Sequence, residues 1–166
     1  MANSRKQKGN RGERECCTIF AEEFGGSWIR VPNSGAFVGG KNAQRKNTLS
    51  DNQINLTQGD IITPDHMSNL VIEVKNHKDF PFHQLMQNTD VIILDNWIQQ
   101  TLDVIEEHNF WMICFKINRK GWFIAVPSLD WKLHSYAKYK DYYVTNMNDF
   151  IKDNKDKILE LSKKIS

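Results

Sequence analysis

The chain is poor in everything that staples or anchors a protein. It has three cysteines, Cys16, Cys17 and Cys114, an odd number with no C-x-x-C spacing. A disulfide framework or a zinc knuckle is therefore excluded, and a reducing, cytoplasmic setting fits best. No apolar run approaches the roughly 20 residues of a membrane span. The basic start MANSRKQKGNRGERE has no apolar stretch behind it, so it does not read as a secretory signal. Internal repeats are absent, and so is a dominant sign of charge: 22 Lys+Arg stand against 20 Asp+Glu.

What is present is ordinary in amount and uneven in distribution. At 166 residues the chain has the size of one domain, and 40% hydrophobic with 25% charged residues is normal for a globular protein. Residues 1–50 carry a net charge of +5, residues 51–131 a net −6 and residues 132–166 a net +3. Such asymmetry is a mark of polyanion binding.

Periodicity predicts a mixed α/β domain over residues 1–166 with a central sheet flanked by helices. Residues 1–9 read as a mobile basic arm. Residues 10–24 read as a helix with Cys16, Cys17, Ile19, Phe20 and Phe24 on one face, stopped by Gly25-Gly26. SWIRV (27–31) reads as a strand ending at Pro32. Residues 33–58 read as a flexible basic loop, GDIIT (59–63) as a short strand and NLVIEVK (69–75) as the best strand of the chain. A helical stretch starts at residues 79–82, and a helix is predicted over 95–108. Strands follow at 110–117 and 122–126, joined by a hairpin-like turn, with a further strand near 142–145 and a closing helix over 148–164.

The informative chemistry lies between Gly59 and Asn76. Strand side chains alternate faces, so Glu73 and Lys75 share one face. If the preceding strand pairs with this one, Asp60 comes near Glu73. Two converging carboxylates suit a hard cation, Mg²⁺ or in its place Mn²⁺, able to polarise a phosphodiester. Lys75 would orient water or stabilise developing charge. An acid-x-Lys triplet alone is weak: Asp130-Trp-Lys132 and Asp153-Asn-Lys155 match it too. A salt-bridged, exposed strand face is the plain alternative.

Glu13 lies within about 20° of Phe20, seven residues on, and so extends the buried stripe of the first helix. It reads either as a third acid delivered to a metal or as an acid favoured at a helix N-terminus. Arg30 at the end of its strand and Ser34 in a flexible Ser-Gly turn after Pro32 offer a guanidinium and a hydroxyl suited to phosphate. Lys41, Arg45 and Lys46 make the following loop basic, either to meet DNA or simply as a solvated surface. His66, His83, His108 and His134 show no ligand spacing.

Taken in order, these segments resemble the archaeal-type Holliday junction resolvases of the PD-(D/E)XK nuclease superfamily, with a restriction-endonuclease-like core. The matching residues are Lys8-Gly9-x-x-x-Glu13-Arg14-Glu15, Arg30-x-Pro32-x-Ser34-Gly35, Asp60-Ile61-Ile62, Ile72-Glu73-Val74-Lys75 and Gly121-Trp122-x-Ile124. The resemblance implies a Mg²⁺-dependent endodeoxyribonuclease that cuts branched DNA and leaves 5′-phosphates. It implies a catalytic set of Glu13, Ser34, Asp60, Glu73 and Lys75. Asp60, Glu73 and Glu13 would hold the metal, and Lys8, Arg11 and Arg30 would contact DNA. Gln84 matches an accessory glutamine more weakly. A homodimer would supply two cuts. Gly59 stands where the superfamily carries its name-giving Pro, a common replacement. The stretch from Ser34 to Asp60 is longer than in the archaeal enzymes, which keeps a nuclease for duplex ends or flaps, or a non-catalytic DNA-binding module, as alternatives.

Overall fold

The computed structural model describes residues 2–32 and 58–164. Ser34, Lys41, Arg45, Lys46 and nearly all of the basic loop lie outside the described residues. The first helix, α1, spans Ala2–Phe24, so the segment read as a mobile arm is helical. Its first turns are polar all round and gain their hold from tertiary contacts: Lys8 Nζ donates to Asn118 Oδ1 at 2.8 Å, and Asn76 Nδ2 donates to the Lys8 carbonyl at 2.9 Å. Gly12 lies at this crossing. A Cβ there would stand 3.0 Å from Asn76 Cβ, so the missing side chain lets α1 lie close on the sheet.

Two short strands follow. β1 (Ile29–Arg30) is antiparallel to β2 (Ile61–Ile62), a shorter pairing than the five residues of SWIRV suggested. After a 3₁₀ turn at Asp65–Met67 comes β3 (Leu70–His77). Helices α2 (Phe82–Met86) and α3 (Ile92–Val104) precede β4 (Phe110–Ile117) and β5 (Gly121–Pro127). Then come β6 (Tyr136–Tyr139), which the sequence reading did not include, and β7 (Tyr142–Asn146). The predicted closing helix is two helices, α4 (Met147–Asp153) and α5 (Lys155–Ser162). The break is at Asn154. Its buried amide accepts from Lys132 N at 2.8 Å and donates to the carbonyls of Lys132 and Phe150, both at 3.0 Å. A buried side chain tied to a distant segment overrides the local helical period.

The main sheet has the order β3-β4-β5-β7-β6, with β3 parallel to β4 and every other neighbour antiparallel. Helices cover both faces. Ile72, Val74, Met112, Cys114 and Ile124 pack on one side with Cys16 and Phe20 of α1 and Phe150 and Ile158 of the closing helices. Val71, Trp111, Ile113 and Phe115 pack on the other with Leu94, Trp97 and Ile98 of α3. Near-continuous apolar runs in β3 and β4 are what burial on both faces demands. β3 is an edge strand of this sheet, and the candidate site lies along its free edge.

Candidate active site

Residue 60 covers the edge of β3 twice. Its N–H donates to the Ile72 carbonyl at 2.8 Å, and its Oδ2 accepts from Val74 N at 2.7 Å. Its carbonyl accepts from Val31 N at 2.8 Å, which joins β1 to the same point. Gly59 makes the approach possible. Its φ is +70°, and a Cβ there would lie 2.6 Å from the Ile72 carbonyl oxygen. Proline, fixed near −65°, cannot take this conformation, so the chain enters the site differently from one that carries Pro here.

Asp60 and Glu73 are 6% and 8% exposed, and Glu73 lies within hydrogen-bonding reach of Asp60. Burial pushes the Glu73 carboxyl well above the usual range. The Asp60 charge pushes it further, Lys75 opposes the shift, and Glu13 contributes a smaller push upward. Glu73 thus sits beside Asp60 and within electrostatic range of Lys75 and Glu13. The other two acid-x-Lys triplets are solvated: Asp130, Lys132, Asp153 and Lys155 are all exposed. Burial separates the Glu73 triplet from its two look-alikes.

Glu13 is 7% exposed and faces inward, as its place on the apolar stripe predicts. Its Oε2 accepts from Arg30 Nε at 2.9 Å, and Arg30 Nη2 donates to Asn10 Oδ1 at 2.6 Å. The Arg30 guanidinium therefore braces α1 at the site. Lys75 Nζ donates to Gln100 Oε1 of α3 at 3.0 Å. No local pattern in the sequence marks Gln100, which lies 25 residues from its partner. Gln84 sits on α2, where its carbonyl accepts from Gln87 N and Thr89 N, and the glutamine touching Lys75 is Gln100. Lys8 is held by Asn118, and Arg11 is exposed on α1. The His77 ring packs at a tilt against Trp97, with ring centroids 5.1 Å apart.

The three cysteines are free and buried. Burial, with the Glu13 charge added, pushes the Cys17 thiol up to about 11, and burial against Cys114 raises Cys16 as well. Thiols in that state are poor nucleophiles, and their place is in the packing beneath the site.

The family described as "Phage putative PDDEXK endonuclease" matches residues 4–162. The chain belongs to this family. It is also 34% identical, over 134 residues, to "Protein D14" of Escherichia phage T5, covering 78% of this chain and 75% of that protein. No solved structure matches. Membership makes the protein a nuclease with a restriction-endonuclease-like fold, and PDDEXK nucleases generally use divalent metals. Among the described residues, no three His, Cys, Asp or Glu side chains are arranged to hold a metal ion together. The donor set on offer is the Asp60–Glu73 pair. It fits a hard divalent cation, which takes one or two carboxylates and fills its other positions with water or phosphate oxygens. A buried carboxyl pair whose second charge is repelled by the first is one that a divalent cation would stabilise. Among the described residues, no helix is long and apolar enough to cross a membrane.

Proposed function

We propose that the protein is a Mg²⁺-dependent endodeoxyribonuclease whose substrate is branched DNA, the four-way junction first among such substrates. The observation that carries the reading is the buried Asp60–Glu73 pair with Lys75 two residues along the same strand. Asp60 and Glu73 would hold the cation, with Mn²⁺ an acceptable substitute. The bound cation supplies Lewis-acid polarisation of the phosphodiester. Lys75, steered by Gln100, orients the attacking water and stabilises charge that develops on the phosphorus oxygens. Glu13, braced by Arg30, supports the acidic side of the site. Ser34 and the loop cations Lys41, Arg45 and Lys46 complete the DNA-facing side in this reading, with Lys8 and Arg11 on α1.

A four-way junction is two-fold symmetric, and two cuts require two sites. A C₂ homodimer follows as the economical assembly. The test is cleavage of a synthetic four-way junction with Mg²⁺, beside linear duplex, flap and single strand of the same sequence. Junction cleavage at least tenfold faster than duplex cleavage is expected. Equal cutting of duplex removes the branched-DNA assignment. Asp60→Asn or Glu73→Gln cleaving like the parent removes the site.

A further inference from the structure

The turn between β4 and β5 presents Asn118, Arg119 and Lys120, all exposed. Lys120 N donates to the Ile117 carbonyl at 3.0 Å, so Arg119 is the third residue of a four-residue turn. Its φ is +64°. That position favours Gly or Asn, and a long cationic side chain there gains nothing for the backbone. Among the described residues, no side chain pairs with the Arg119 guanidinium. An unfavourable conformation kept for an unpaired, exposed cation points away from folding and toward a ligand.

The turn is fixed in relation to the candidate site. Asn118 N donates to the carbonyl of His77, two residues beyond Lys75, at 3.0 Å. Lys8 of α1 is bonded to Asn118, and Lys120 Nζ lies 5.4 Å from the centre of the Phe82 ring. Arg5, also exposed, precedes Lys8 by three residues and so shares its side of α1. The acid on the same side of α1, Glu15, seven residues after Lys8, is occupied by Lys116 at 2.7 Å. Arg5 and Lys8 on the α1 face of the sheet and Lys120 on the opposite, Phe82 face thus flank Arg119, and together they make a cationic ridge across the end of β3 and β4. From Lys75 to His77 the strand advances roughly 7 Å. The ridge thus begins a short way along β3 from the candidate site.

The geometry points to a phosphate-backbone site on this ridge, with Arg119 as its outermost contact, Lys120 and Arg5 flanking it, and the DNA strand beside the scissile bond as its ligand. This rests on the nuclease reading. The contacts are to phosphate, so they set affinity and position without reading sequence.

Arg119 allows an unusually clean test, because glycine suits its backbone better than arginine does. Binding of fluorescein-labelled duplex and four-way junction is followed by anisotropy in EDTA across a range of salt. Arg119→Gly is expected to keep or raise Tm, to weaken binding about tenfold at physiological salt, and to lower the slope of log Kd against log salt by about one. R119G/K120Q lowers the slope by about two, while K152Q/K155Q, on the closing helices, leaves it unchanged. An unchanged slope in R119G/K120Q, with wild-type cleavage intact, overturns the ridge and leaves the nuclease reading standing. Failure of the wild-type protein to bind or cut DNA overturns the nuclease reading itself. A fall in Tm accompanying weaker binding in both R119G and R119N assigns Arg119 to the turn's stability and overturns the proposal.

Discussion

The Asp60 carboxylate and the Val74 amide are joined by a 2.7 Å hydrogen bond at the open edge of β3. Because the Asp60 N–H also donates to the Ile72 carbonyl, one residue covers two successive edge groups of the strand. The bond spends one carboxylate oxygen on the backbone and leaves the rest of the group beside Glu73. Edge protection and site construction are the same act here, since an uncovered edge strand invites pairing with other chains.

The substitutions that follow separate the two duties. Asp60→Asn keeps an acceptor for Val74 N and should fold with near-native stability. Asp60→Ala leaves that buried N–H unsatisfied and should cost about 1–3 kcal/mol. Wild-type protein should gain about 2.7 kcal/mol from Mn²⁺ at a hundred times its Kd, a rise of roughly 5–10 °C in Tm. Asp60→Asn should lose that response. Glu73→Gln should raise the metal-free Tm, because it removes a buried acid whose charge is opposed by Asp60, and should abolish the response to metal. Differential scanning fluorimetry with and without Mn²⁺ checks all of these. A Glu73→Gln protein less stable than the metal-free parent would contradict the repulsion argument.

Gly59→Ala should destabilise by at least about 2 kcal/mol. It places a Cβ at a positive φ and 2.6 Å from the Ile72 carbonyl, two separate penalties. Gly59→Pro should do worse, although Pro is the residue found here across the wider superfamily. Urea unfolding is the measurement. A neutral Gly59→Pro would mean that the backbone can reach Asp60 by the superfamily's usual route.

How much of this was legible in the sequence depends on where each contact comes from. β3 and β4 announce themselves because burial on both faces forces an apolar, β-branched run, and strand alternation puts Glu73 and Lys75 on one face. The expected pairing of the 59–63 strand with β3 is not formed, since β2 pairs with β1, and Asp60 alone reaches β3 through its bonds to Ile72 and Val74. The inward turn of Glu13 was visible from its helical phase. Long-range contacts were not visible. Residues 2–9 read as a loose arm because nothing local explains their helix; Lys8–Asn118 and Asn76–Lys8 do. The split of the closing helix rests on Asn154 meeting Lys132, 22 residues away. β6 does alternate, Tyr136 and Lys138 outward and Ala137 and Tyr139 inward, but at four residues, with a tyrosine at each end, the pattern is too short to stand out. Arg30 looked like a phosphate ligand because its partner, Glu13, is 17 residues earlier on another element.

That last pairing can be measured. The side chains of Arg30 and Glu13 are 24% and 10% exposed, between a surface pair and a fully buried one. Arg30→Met should cost about 2 kcal/mol, less than the 3–5 kcal/mol of a fully buried pair, because water reaches one side. Glu13→Gln in the same background should recover part of the loss. A double-mutant cycle with a coupling near zero would show that Arg30 does not brace Glu13 and would return it to the role of a direct DNA contact.

His77 gives the pH dependence of the fold a sign. Burial against Trp97 lowers its pKa from the ordinary value of about 6.5, and the charges of Lys75 and Lys8 lower it further. The unfolded chain therefore takes up a proton at a higher pH than the folded one. The stability carried by neutral His77 is fully present above about pH 6.5 and is lost as pH falls below that value toward the folded-state pKa. His77→Gln should flatten that part of the stability curve. Lys75→Gln should move the loss to lower stability cost, because one of the two cations opposing the imidazolium is gone. Urea unfolding between pH 5 and 8 tests both. A His77→Gln protein with the same acid slope as the parent would place the sensitivity elsewhere. The His77 backbone carbonyl holds the Asn118 turn, so the acid weakening should be accompanied by loosening where the cationic ridge joins the sheet, read as faster amide exchange at Asn118, whose N–H is bonded to that carbonyl.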